Sequence, residues 1–117
     1  MQDYRKLRIW LLAMELTKNI YELTKEFPSE EKYGLTSQIR RSSISIPSNI
    51  AEGAGRNGYK EFNKFLGIAM GSLFELETQV ELSYNFQYIK LDSFNKTIDT
   101  IDQLKKMLYH FQKKLTT

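Results

Sequence analysis

Five cations stand where they could grip phosphate: Arg40 and Arg41 side by side, then Arg56, Lys60 and Lys64. From Thr36 to Lys64 only Glu52 and Glu61 oppose them. Lys60 and Lys64 are one helical turn apart and share a face. Arginine and lysine on a rigid surface contact phosphate oxygens without reading bases, which gives salt-dependent and largely sequence-tolerant nucleic-acid binding. Charge alone is equally compatible with a solvated rim. A second group is polar: Asn49, Glu52 and Glu75. If buried, Asn49 and Glu52 require hydrogen-bond partners, and Arg40 or a donor on another helix is the natural one. Glu75 lies nearest the apolar seam of its helix and suits an inward or intersubunit role, whereas Glu77 and Glu81 read as a solvated acidic face.

Other chemistries lack their residues. The single histidine, His110, follows Met107 by three positions, so the Glu-x-x-His pair of a di-iron bundle is absent. No cysteine is present to supply a disulfide, a thiolate nucleophile or a cysteine zinc site. There is no supported Ser-His-Asp arrangement and no Walker-type GKS or GKT. Glu30 and Glu31 are adjacent on a turn and do not converge. The amides of Gly53 to Gly58, ahead of a helix, are a weak anion signal by themselves. A metal-dependent enzyme built on Glu52 and Glu75 has no histidine to support it. The expectation is therefore a protein without catalytic residues, cofactor or metal.

These side chains must be carried by helices. Leu35, Ile39, Ile46 and Ile50 share a face of the stretch Leu35 to Gly55, and Ile44, Pro47, Ala51 and Ala54 make an additional stripe. Pro47 lies inside it, which predicts a kink or restart near Ile46. Before it, Tyr4 to Glu26 carries two stripes, Leu7, Trp10, Met14, Thr17 and Tyr21 beside Ile9, Ala13, Leu16, Ile20 and Leu23. Phe27-Pro28 ends that helix, Ser29 to Glu31 suits a short turn, and Gly34 suits a reversal at positive φ. After it, Asn57 is placed to cap a helix from Tyr59 to Tyr88 whose seam is Phe62, Leu66, Ala69, Leu73, Leu76, Val80 and Ser83. Gly67 and Gly71 beside that seam predict close helix packing. A last helix carries Phe94, Ile98, Ile101, Leu104, Leu108, Phe111 and Leu115. Nothing recommends a strand. The reading is all-α: one domain over 1–117, an antiparallel up-down-up-down four-helix bundle. At 117 residues with net charge +3, and with Asp3, Arg5, Lys6 and Arg8 in place of an apolar leader, the expected protein is soluble and cytoplasmic, without a membrane span.

The runs FPSEEKYGLTSQIRRSSISIPSNIAEGAGR, Phe27 to Arg56, and KEFNKFLGIAMGSLFELETQVELS, Lys60 to Ser83, add a resemblance. They are similar to the four-helix-bundle proteins encoded in intervening sequences of bacterial 23S ribosomal RNA genes. More distantly, the chain resembles the accessory protein that partners the reverse transcriptase of diversity-generating retroelements. The resemblance implies a homo-oligomeric ring, a homopentamer, with RNA or DNA binding on basic surfaces and no enzymatic reaction. It places Arg40 and Arg41 on the motif's basic pair and Asn49, Glu52, Gly53, Glu75 and Glu77 on its polar positions. The leading expectation is a non-enzymatic oligomer binding nucleic acid, structured RNA first, through Arg40, Arg41, Arg56, Lys60 and Lys64. The alternative is an oligomeric protein-interaction scaffold that touches no nucleic acid.

Overall fold

The computed structural model describes residues 3–116, so Met1, Gln2 and Thr117 of the expected 1–117 unit lie outside it. Among the described residues there are four α-helices and no strand: α1 (Arg8–Thr24), α2 (Leu35–Ala54), α3 (Tyr59–Asn85) and α4 (Leu91–Thr116). The first helix starts later than expected, because Asp3 accepts from the Arg5 backbone N–H and sets Tyr4–Lys6 apart as a single 3-10 turn. Ser29–Glu31 forms a second such turn, as its composition suggested.

Two connector expectations fail. Gly34 has φ of −112°, and the positive φ falls instead at Gly58, 95°, which takes the N-cap of α3 in place of Asn57. The third helix stops three residues short of Tyr88. Gln87 adopts φ of 66°, the Gln87 N–H reaches the Tyr84 carbonyl, and the Tyr88 N–H reaches that of Ser83. This is a Schellman-type ending with glutamine where glycine is usual, and tertiary contacts hold it. The Tyr88 ring lies 5.3 Å from that of Phe27, and its hydroxyl donates to Glu31 at 2.8 Å.

The buried stripes follow the spacing. Ile9, Ala13, Leu16 and Ile20 of α1, Ile39, Ile46 and Ile50 of α2, and Ile101, Leu104 and Leu108 of α4 enter one core. Every apolar member of the α3 seam joins them, with Ser83 buried at its end. Of the two α1 stripes, the one through Ile9 and Ala13 is the core, while Leu7, Trp10, Met14, Thr17 and Tyr21 are half-buried at its edge. Fully burying such aliphatic side chains contributes roughly 1.5–3 kcal/mol each before the cost of ordering the chain.

Of the expected kink or restart, the restart does not occur, and α2 runs through Pro47 as one helix. Proline has no N–H for the carbonyl four residues back, that of Ser43. The Thr17 hydroxyl on α1 lies 2.9 Å from that carbonyl and 3.0 Å from the Ala13 carbonyl, so it offers the donor that Pro47 lacks. On the other flank of α2, Ser42 donates to Gln79 at 2.6 Å, the Ser45 and Ser72 hydroxyls meet at 2.8 Å, and Gly53 faces Phe62 and Phe65. Residue numbers thus rise along α2 as they fall along α3. A Cβ on Gly53 would stand 2.7 Å from that of Phe65, so the backbones approach here as only glycine permits. Gly67 and Gly71 do not do this: a Cβ at either would meet nothing.

Thr17→Val keeps the shape and removes the donor, and is expected to cost about 1–3 kcal/mol in urea unfolding, with Thr17→Ser retaining most of the stability. Gly53→Ala is expected to destabilise despite the roughly 1 kcal/mol that alanine gains in helix propensity, because overpacking costs about 1–3 kcal/mol. A melt no lower than the parent's would show that the contact relaxes freely. Hydrogen bonding to Glu31 raises the Tyr88 phenol above its ordinary 10.0, aided by burial and by the charges of Glu31 and Glu30. Hydrogen bonding to Glu77 raises the Lys105 ammonium above 10.5 against the opposing effect of burial, with Asp102 assisting. Both groups therefore hold their protons more tightly folded than unfolded. Their stabilisation is complete below their ordinary values and is lost as pH rises through the raised ones. Unfolding free energy should fall above about pH 10, and a Tyr88→Phe, Lys105→Met double variant should show a shallower fall.

Candidate nucleic-acid interface

The five expected cations do not form one patch. Arg40 and Arg41 sit near the start of α2, beside Ser42 and its partner Gln79, whereas Arg56, Lys60 and Lys64 flank the far end where Gly53 meets Phe65. From Arg41 to Gly53 the α2 axis advances about 18 Å. The two groups lie at opposite ends of the α2 and α3 pair because of the opposed run of contacts between those helices.

Their environments differ as well. Arg40 is half-buried and turned onto α1: Nε donates to Thr24 Oγ1 at 2.8 Å, Nη2 donates to the Tyr21 carbonyl at 3.3 Å, and the guanidinium lies 4.5 Å from the Tyr21 ring centroid. It does not serve Glu52. That carboxylate is exposed and pairs at 2.7 Å with Arg56, just past the end of the helix. Arg56 also covers the Phe65 ring at 4.9 Å. Arg41, Lys60 and Lys64 are exposed, and among the described residues they make no ion pair.

Asn49, Glu52 and Glu75 belong to separate contacts. Asn49 donates from Nδ2 to the Ser45 carbonyl at 2.8 Å and to its hydroxyl at 3.0 Å, tying it to the Ser45 and Ser72 link across α2 and α3. Glu75 is exposed and accepts from Gln79 at 3.4 Å. The carboxylate bridging α3 to α4 is instead Glu77, read from sequence as merely solvated: Lys105 donates to it at 2.7 Å. Among the described residues no group of three or more His, Asp or Glu is gathered where it could hold a metal ion, and no helix is long and apolar enough to cross a membrane.

A further cationic surface was not legible in the sequence. A groove of about 770 Å³ between the chain's first turns and α4 is floored by Leu7, Ile9, Met107 and Phe111. Lys6, Arg8, Lys106, His110 and Lys114 line it, with Asp99 and Asp102. The only signal for it was basic residues near both ends of the chain, and nothing local says that those ends meet.

No curated protein matches this chain. A solved structure, that of a protein with unknown function from the S23 ribosomal protein family of Bacteroides thetaiotaomicron VPI-5482, superposes with a TM-score of 0.83 at 26% identity, covering 90% of this chain and 98% of that one. The pattern describing the 23S rRNA-intervening sequence proteins matches residues 5–110, a span from the turn before α1 to the last turns of α4. Four helices with these buried stripes, and that match along nearly all of them, place the chain in the 23S rRNA-intervening sequence protein family.

Proposed function

We propose that the protein is a non-enzymatic, cytoplasmic helical bundle, antiparallel and up-down-up-down, which assembles as a homo-oligomeric ring and binds structured RNA through its cationic rim. The observation that carries this reading is a set of cations without ion pairs. Among the described residues Arg41, Lys60 and Lys64 are exposed and make none, and Glu52, beside the second group, is already taken by Arg56. Cations without counter-charges create a field that phosphates complete, with release of condensed counterions as the driving term.

Self-association is supported by the outer face of α3. Gly67 and Gly71 each cost about 1 kcal/mol of helix stability relative to alanine, and among the described residues a Cβ at either would have no neighbour within 4 Å. Exposed Ile68 and Phe74 lie beside them. A backbone from another copy, packing against that face, would supply the use that the protomer lacks. A ring repeats each weak cationic patch, and avidity then raises affinity without new contacts. Such an oligomer suits an accessory to a partner such as a reverse transcriptase.

A mobility-shift titration of a structured RNA tests the reading, with light scattering on the same samples. With four phosphate contacts, affinity should fall about 10²-fold between roughly 50 and 200 mM salt. Arg40→Glu with Arg41→Glu should weaken it further. No binding at low salt, or binding indifferent to that substitution, would leave the protein-interaction scaffold as the better account. A monomer at every concentration would remove the ring.

A further inference from the structure

Two adjoining recesses open at the start of α2. The larger, about 460 Å³, is lined by Lys32, Arg40, Arg41, Tyr21, Tyr33 and Thr36 among others, and no carboxylate lines it. The smaller, about 350 Å³, shares Lys32, Thr36 and Arg40 with it. Thr36 stands between them, and among the described residues its Oγ1 is the one buried side-chain polar atom without a hydrogen-bond partner. Buried hydroxyls are ordinarily satisfied, so an unpartnered one beside a cationic recess points to an absent ligand atom.

The backbone adds to this. Gly34 has no side chain to cap α2, and Glu31 engages only the first amide, that of Leu35, so the amides that follow and the positive end of a 20-residue helix dipole face the same place. The nearest acid, Glu31, is committed to the Leu35 N–H at 3.1 Å and the Tyr88 hydroxyl at 2.8 Å. Arg40 is held by Thr24 and Tyr21 with two of its five N–H donors, leaving three on a guanidinium that is already positioned. Tyr33 is the most unusual feature. It is 88% exposed and forms no part of the core; its ring meets only the Lys32 ammonium, 5.4 Å from the centroid. A solvent-exposed aromatic ring beside a cationic recess is the pairing that holds unstacked bases while gripping their backbone.

We infer that this recess binds one unpaired nucleotide, with its phosphate at the start of α2 among Lys32, Arg40, Arg41 and the Thr36 hydroxyl, and its base on the ring of Tyr33. The inference rests on the nucleic-acid reading above and names what that surface selects, an unstacked nucleotide rather than a duplex. Such nucleotides are what loops and bulges of structured RNA display. The same chemistry is available from a free mononucleotide. An acidic peptide would meet the cations but leave the Tyr33 ring bare.

Fluorescence anisotropy on the full chain decides it, using an RNA hairpin with an unpaired loop, a blunt RNA duplex of equal length, and AMP as competitor. The hairpin should bind more tightly than the duplex. Tyr33→Ala should weaken the hairpin by at least about fivefold and leave the duplex unchanged, and the near-isosteric Thr36→Val should weaken the hairpin in the same selective way. Competition by AMP would trace the preference to the nucleotide itself; selective loss in Tyr33→Ala without such competition would trace it to the strand, and both outcomes support the recess. If Tyr33→Ala and Thr36→Val leave hairpin binding intact while Lys60→Gln with Lys64→Gln weakens it, the recess is excluded and the nucleic-acid reading stands. If the parent protein binds neither RNA nor AMP, both are overturned.

Discussion

The carbonyl of Ser43 is the point on which the bundle turns. Pro47 removes the bond that this group would make inside α2, and Ser43 is buried, so its carbonyl needs another donor. The Thr17 hydroxyl reaches it from α1 at 2.9 Å. One side-chain contact thus lets α2 continue from Leu35 to Ala54 and fixes the height at which α1 crosses it. Had the helix broken at Pro47, Ile50 and Gly53 would have no reason to stay in register with Ile39 and Ser42. Both flanks of α2 depend on that continuity.

From there the polar and close contacts set the rest. Ser42 with Gln79, Ser45 with Ser72, and Gly53 against Phe65 fix α3 beside α2 at three heights, and Lys105 with Glu77 carries the registration on to α4. These contacts exchange little hydrophobic area. Their effect is on specificity, since an apolar seam alone allows helices to slide by a turn, while a buried hydroxyl facing an amide does not. The register so fixed also decides the surface. It separates Arg41 from Lys64 by most of the length of α2, and it brings Lys6 and Arg8 to the same groove as Lys106 and Lys114.

The family and its similar solved structure agree on a fold and are silent on a reaction. Among the described residues, the start of α2 gathers a cation without an ion pair in Arg41, an aromatic ring met only by an ammonium in Tyr33, and a buried hydroxyl without a bond in Thr36. Each is ordinarily a small cost to a folded chain, and their concentration at the start of α2 is what distinguishes this surface from the remainder.

The sequence by itself determined the helices and their inward faces. The stripe through Leu66, Leu73 and Val80, and the one through Ile101, Leu104 and Leu108, are buried as their spacing required, because the angle between successive side chains on a helix is a local property. Local spacing does not say how far one helix is shifted or rotated against the next. That is why Glu77 rather than Glu75 reaches across to α4, why Arg40 turns to Thr24 rather than Glu52, and why Gly53 closes a helix contact while Gly67 and Gly71 do not. The left-handed Gln87 was equally hidden, since no glycine marks it and only the pull of Phe27 and Glu31 on Tyr88 explains it. The tertiary structure alone decided which charges meet and which stay free, because pairing depends on distances between segments that no periodicity encodes.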